Sequence, residues 1–245
     1  MLHPPQFLRA IMANPKDDAP RLAYADWLGH DQPLGEFIHL QCLLAQSACR
    51  EPSLLRERRE QDLLAQFHTQ WSNHVARYVE WCSFRRGFIE EVSLGEKQLI
   101  SHAGELFRLA PVMDVHLRTT GEHLDDLPEL PFLKHTFFLD LSAQPLGDEG
   151  AERLADTPML AQVHGLNLGS CRLSDVGLDA LIDSPDLGAL RELYLNDNAV
   201  SDDSLRRFVL TSLVEQLDVL DVRNTQISAE GIDALKRILG DKCLV

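Results

Sequence analysis

The residues that could do chemistry are scattered, and their spacing decides what chemistry is open to them. Five cysteines, Cys42, Cys49, Cys82, Cys171 and Cys243, form no CxxC pair. Their odd number leaves at least one thiol outside any disulfide scheme, which favours a reducing compartment. Ten histidines include no HExxH and no Cys/His ligand spacing, so zinc is not indicated. Asp17, Asp18 and Asp26 with His30 and Asp31 gather acids around one imidazole, where a metal or an acid–base pair could be imagined. Against this, Asp18 stands where a helix cap is needed, and Asp26, eight residues on, faces elsewhere. GxSxG, P-loop and GxGxxG strings are absent. The expectation is therefore no catalytic residue, no metal and no cofactor.

The spacing that carries information belongs to leucine. Leu190–Val200, LRELYLNDNAV, fits the repeat L-x-x-L-x-L-x-x-N-x-L with Val in the last place. Val163–Leu173 repeats it 27 residues earlier with Cys171 in the Asn slot, and Leu217–Ile227 repeats it 27 later with Thr225 there. Thr136–Leu146 is a fourth copy with Gln144 in the slot. That slot explains Cys171 as a buried turn residue rather than a nucleophile, and Asn198 has the same reading. Gly150, Gly177, Ser204 and Gly231 keep the phase, as do Leu154, Leu181, Phe208 and Leu235, so each strand is followed by a helix. Ser174, Ser201 and Ser228 stand just before those helices as N-caps. Ile89–Leu99 and Val112–Leu117 are weaker copies, which brings the array to about six units, the first two degenerate.

Before residue 82 the repeat is missing and the pattern is helical. Pro20 behind Asp18, Pro33 and Pro52 each open a helix, and about four short helices are expected. Trp27, Trp71 and Trp81 fall outside the regular units and are expected in the helical core, although an exposed Trp27 could anchor a partner. The chain thus divides into a helical N-terminal cap, residues 1–81, and a leucine-rich-repeat solenoid, residues 82–245. The fold class is α/β, with parallel strands on the concave face and helices on the convex face. A cap over the first strand has a physical purpose, because an open sheet edge is sticky.

FLRAIMANPKDDAPRLAYADWL, from Phe7 to Leu28, continued by LGEFIHLQ from Leu34 to Gln41, closely resembles the bacterial repeat-companion domain. That short helical module precedes leucine-rich or other repeats, mostly in planctomycetes and myxobacteria. FRRGFIEEV, Phe84–Val92, resembles the junction such proteins use. The chain departs from the family pattern at Leu34, where an arginine commonly precedes Gly-Glu-Phe. The resemblance implies repeats of the ribonuclease-inhibitor-like class and a bacterial setting, and it implies no activity.

Composition bounds the partners. The formal charge is −15, and nucleic acid is a poor ligand for a chain without a basic face. Residues 135–245 hold 9 basic and 19 acidic groups. Several acids, Asp148, Glu149, Asp175, Asp202 and Asp203 among them, fall in first helical turns, where the macrodipole favours them. The N-terminus, with Pro4 and Pro5, does not read as a signal peptide, and no apolar run of membrane-spanning length occurs, so a soluble cytoplasmic protein is expected.

Strand alternation turns the residues between and after the last two leucines of each repeat away from the core. They include His116, Arg118, Asp140, Asn167, Tyr194, Asn196, Asp221 and Arg223. This stripe is the candidate site for a partner protein, with Tyr194 and Arg223 of the types most often energetic at interfaces. The leading expectation is a non-enzymatic protein-binding module, monomeric or weakly dimeric. The alternatives are a regulator of a partner enzyme, such as a GTPase activator, by fold analogy, or an adaptor docking through its N-terminal helices.

Overall fold

The computed structural model describes residues 3–29, 31–46, 54–124 and 137–245. His30, Cys49, Pro52 and Thr136, invoked above, lie outside the described residues. The chain forms two compact units: Met1–Ser93 with His102–Met113, and Leu94–Ser101 with Asp114–Val245.

In the first unit four helices are described, α1 (Pro5–Ala13), α2 (Ala19–Leu28), α3 (Pro33–Gln46) and α4 (Leu54–Ser72). Prolines stand in the first turns of α1, α2 and α3, where the missing N–H costs nothing. Next comes an antiparallel hairpin of β1 (Trp81–Arg85) and β2 (Phe88–Gly95), followed by α5 (Glu96–Leu109). Phe84 of β1 packs edge-on against Phe37 of α3 at 5.7 Å, and Phe37 meets Trp71 of α4 at 4.9 Å. The hairpin therefore shares the helices' core.

Two expectations fail in this unit. Asp18 has helical backbone angles and its side chain caps nothing. Asp17 Oδ1 takes the orphan donor, Ala19 N–H, at 2.9 Å, which leaves the Asp18 carboxylate to accept from Gln46 Nε2 at 3.1 Å. Of the three tryptophans only Trp71 is core at 5% exposure, while Trp27 and Trp81 are 62% and 51% exposed. Trp27 stacks on the buried Tyr24 ring, with centroids 5.8 Å apart.

A buried ion pair lies at the centre of the unit. Arg21 of α2 and Glu90 of β2 are both buried. Arg21 donates from Nε to Glu90 Oε1 at 3.0 Å, again from Nη2 to the same oxygen, and from Nη1 to the Asp17 carbonyl at 2.9 Å. Arg86 Nη2 donates to Glu90 Oε2 at 3.1 Å. Burial pushes the Glu90 carboxyl up, and the two guanidiniums pull against that shift.

In the second unit β3 (Asp114–Arg118), β4 (Phe137–Asp140), β5 (Val163–Asn167), β6 (Glu192–Tyr194), β7 (Val219–Asp221) and β8 (Cys243–Leu244) each pair in parallel with the next. Parallel neighbours need crossovers, and from β4 onward these hold α6 (Gly147–Ala155), α7 (Asp175–Ile182), α8 (Asp202–Phe208), α9 (Ser212–Gln216) and α10 (Ala229–Leu239). Leu139, Leu141, Leu166, Leu168, Leu193 and Leu195 are all buried, so the residues alternating with them along β4, β5 and β6 point the other way.

Polar ladders at the repeat interval lock the units. Asn198 Oδ1 accepts from Cys171 N and Leu173 N, both at 3.0 Å, and its Nδ2 donates to the Leu168 and Leu195 carbonyls at 2.7 and 3.0 Å. In the same slot one unit earlier, the Cys171 thiol donates to the Leu141 carbonyl at 3.1 Å. One unit earlier again, Gln144 Nε2 donates to the Leu117 carbonyl at 2.7 Å. Thr225 keeps only a local bond, to the Val222 carbonyl. Directly before each slot the chain takes a left-handed turn, at Ala143, Ser170, Asp197 and Asn224.

A second ladder joins the helix N-termini. Ser174, Ser201 and Ser228 accept from backbone N–H groups as expected caps. Ser174 and Ser201 also donate their hydroxyls to the acid that opens the preceding helix, Asp148 and Asp175, each at 2.6 Å. Asp202 accepts from Ser228 N at 3.0 Å. These acids therefore do more than complement a dipole. Gly177 has no side chain because Asp148 Oδ1 would lie 2.6 Å from its Cβ.

Candidate functional site

Strand register brings five of the stripe residues into one row on the face opposite the leucines. His116 pairs with Asp140, Asp140 with Asn167, Asn167 with Tyr194, and Tyr194 with Asp221. One pleat further on, the backbone carbonyls of Asn196 and Arg223 accept from Ser170 and Asp197, so these two residues begin the next row, and Arg118 follows His116 in the same sense.

The row is braced by turns. Asp140 Oδ1 accepts from Ser142 N at 2.8 Å, Asn167 Oδ1 from Gly169 N at 3.0 Å, and Asp221 Oδ1 from Arg223 N at 3.1 Å. Each is a short polar side chain closing onto the backbone two residues on. Asp221 departs from the expected exposure. It is only 1% exposed, because the Arg223 guanidinium also lies across its carboxylate with Nε at 2.9 Å. That leaves the outer surface of Arg223, rather than Asp221, to face solvent. Asp140 is similarly occupied by His116 Nδ1, 3.2 Å from Oδ2.

His116, Arg118 and Asp140 share an open depression of about 830 Å³ with Gly95, Glu96, Lys97, Gln98, Thr119, His123 and Gln144. Its floor is satisfied: Glu96 Oε1 accepts from Thr119 Oγ1 at 2.7 Å and from His123 N at 3.2 Å. Asn167, Tyr194, Asn196, Asp221 and Arg223 lie outside this depression.

Sequence reading missed one residue of the face. Phe138, one pleat before Asp140, lies over β5, where a Cβ on Gly165 would meet its ring at 2.2 Å. The ring reaches Tyr194 of β6, with centroids 5.9 Å apart. A glycine inside a strand is the signal that could have found it, since such a glycine often marks a close approach. Tyr194 donates its hydroxyl to Glu192 Oε2 at 3.1 Å. Burial first, and then Glu192 and Asp221, push that hydroxyl up to about 12.

Among the described residues no group of three His, Cys, Asp or Glu could hold a metal ion. Of the acids grouped on sequence, Asp18 is 3.6 Å from Arg86 Nη1 and Asp26 is 3.2 Å from His39 Nε2. Burial raises the Cys42 thiol to about 12 and the Cys171 thiol to about 11, far from the thiolate a nucleophile needs. No helix among the described residues is long and apolar enough to cross a membrane.

A family model described as Leucine Rich repeat matches residues 164–181, which take in most of β5 and most of α7. No curated protein matches the chain. The match agrees with an α/β repeat fold and suggests a role in protein–protein interaction.

Proposed function

We propose that the protein is a non-enzymatic interaction module whose leucine-rich repeats form a solenoid and hold a partner protein on the concave strand face. The observation that supports this is the single row of His116, Asp140, Asn167 and Tyr194 on four adjacent parallel strands. Its backbone is pinned from behind by the Asn198, Cys171 and Gln144 bonds. A rigid face carrying polar groups of fixed spacing loses little entropy on binding. In this reading residues 1–81 are a cap of the repeat-companion type, and the repeats are ribonuclease-inhibitor-like. Four described cysteines that are free and buried support a reducing, cytoplasmic setting.

The test is affinity purification from bacterial lysate, followed by titration of the purified partner against wild type and the double variant Tyr194→Ala/Arg118→Glu. Arg223 is left alone, because an acid there would face the buried Asp221. Loss of about tenfold or more in affinity is expected, the scale of one interface anchor. Unchanged affinity would place binding off the strand face.

A further inference from the structure

Two adjacent rows of the strand face carry its aromatic residues, and the same two rows carry most of its negative charge. The first row runs Asp114, Phe138, Gly165, Glu192 and Val219 across β3 to β7. The second runs His116, Asp140, Asn167, Tyr194 and Asp221. Together they hold four carboxylates, one histidine and no lysine or arginine.

The distribution of partners matters more than the count. Asp221 has the Arg223 guanidinium and Asp140 has His116. Glu192 instead accepts from the neutral hydroxyl of Tyr194. Arg191, its neighbour in the chain, turns Nη1 to the carbonyls of Gly188 and Leu190 at 3.2 and 2.7 Å. A carboxylate thus stands at the edge of an aromatic pair with its charge uncancelled by that arginine. Burial is the main cause of the raised Tyr194 hydroxyl, and Glu192 and Asp221 add to it. Beyond the two rows, residues 135–245 carry 16 further acids against 9 bases, so the field around the pair is negative as well.

From this arrangement we infer that the Phe138–Tyr194 pair, with Glu192 beside it, is the seat for an arginine side chain of a basic segment in the partner protein. The guanidinium plane stacks on an aromatic face while its N–H groups reach the Glu192 carboxylate, and both attractions are specific to a cation. Lysine fits less well, because its ammonium offers no plane to stack. The inference rests on the strand-face reading above and adds the chemistry of what binds there.

The test uses the full chain at about 150 mM salt, where charges more than about 8 Å apart are largely screened. The probes are a nine-residue peptide alternating glycine and arginine and its counterpart with citrulline at every arginine. Citrulline keeps the shape and removes the charge. Affinity is read by fluorescence anisotropy, and the binding position by amide chemical-shift changes. The arginine peptide is expected to bind at least about tenfold more tightly, with shifts centred on Phe138, Gly165, Glu192 and Tyr194. Tyr194→Leu and Phe138→Leu should each remove most of that advantage, and Glu192→Gln about threefold of it. Glu230→Gln, in the first turn of α10, should leave it intact.

Equal affinity for the two peptides, with shifts still on the strand rows, would overturn the arginine seat and leave the strand-face reading standing. Shifts confined to the helices, or equal losses in Glu230→Gln and Tyr194→Leu, would overturn both. Tyr194→Phe guards against a folding defect. It keeps the ring but loses the bond that holds Glu192, so a partial loss is expected, and a loss as large as that of Tyr194→Leu would count against stacking.

Discussion

Arg21 finds its partner Glu90 69 residues away, whereas Asn198 finds its partners between 2 and 30 residues away. The two residues do the same job in different units, satisfying polar groups that the core would otherwise strand. In the first unit the solution occurs once. A carboxylate on β2 meets a guanidinium on α2, with Arg86 and the Asp17 carbonyl completing the set. In the second unit the solution recurs at three successive repeats and tolerates different side chains. Gln144, Cys171 and Asn198 all reach back to a carbonyl of the preceding unit, although an amide and a thiol share little beyond a donor. A unique polar contact concentrates the cost of failure at one place, and a repeated one spreads it.

The largest effect should come from splitting the unique pair. Glu90→Leu leaves Arg21 buried without its counter-charge and should cost the first unit about 3–5 kcal/mol, while Arg21→Met/Glu90→Leu should recover much of that. All three tryptophans lie in the first unit, so urea titration followed by tryptophan fluorescence reads it directly. A single variant as stable as wild type would remove the contrast between the units.

Within the second unit, Asn198→Ala strands two buried N–H groups and two carbonyls, at about 3 kcal/mol. Thr225→Ala breaks only one local bond and should cost about 1 kcal/mol or less. Far-UV circular dichroism during urea titration checks both. Equal losses at the two positions would mean that the slot, rather than its reach into the previous unit, sets the stability.

Acid should also separate the units. His3 packs at 5.4 Å from the His74 ring and bonds the Tyr24 hydroxyl at 3.1 Å. Burial, reinforced by the neighbouring His74, lowers its pKa from 6.5 to about 3. The folded state therefore stays unprotonated where the unfolded chain takes up a proton, so the stability contributed is present above pH 6.5 and is lost as pH falls towards 3. Tryptophan-detected melting should drop between pH 7 and about 5 in wild type and much less in His3→Phe. An identical drop in both would assign the acid sensitivity to other groups.

The smallest expected change is a gain. Ala143 holds φ +58°, a conformation Asn accepts more readily, and Asp197 and Asn224 occupy the equivalent turns. Ala143→Asn should stabilise the second unit by about 0.5 kcal/mol, read as a rise in its urea midpoint. A loss would mean that the equivalence of these turns does not extend to β4.

The repeat phase was legible because every unit of the second region repeats one local problem, a strand, a turn and a capped helix, with matching residue types at matching places. Three helices of the first region, α2, α3 and α4, were also legible, from prolines and a run of good helix formers, while α1 was expected only as part of a count of about four. The edge of the first unit was less so: the repeat pattern breaks before residue 82, yet the contacts divide at Ser93, because Phe84 and Glu90 on the hairpin complete the helices' aromatic and ionic core. On the strand face, alternation singled out His116, Asp140, Asn167 and Tyr194, and strand register is what brings these four into one row. It could not show that Arg223 covers Asp221, or that Phe138 crosses Gly165 to reach Tyr194.

Backbone periodicity and caps depend on neighbours within a few residues, and the spacing of leucines, serines and slot residues therefore specified the strand–helix repeat and the outward side of each strand. Which outward side chains are spent on one another, and which remain to meet a partner, depends on side-chain contacts made within a turn, as between Arg223 and Asp221, or across strands, as between Phe138 and Tyr194. Those are distances between side chains, and only folding sets them. The Arg21–Glu90 pair is the extreme case, since neither residue carries any local mark of the other, and desolvation makes their meeting obligatory once the core has closed.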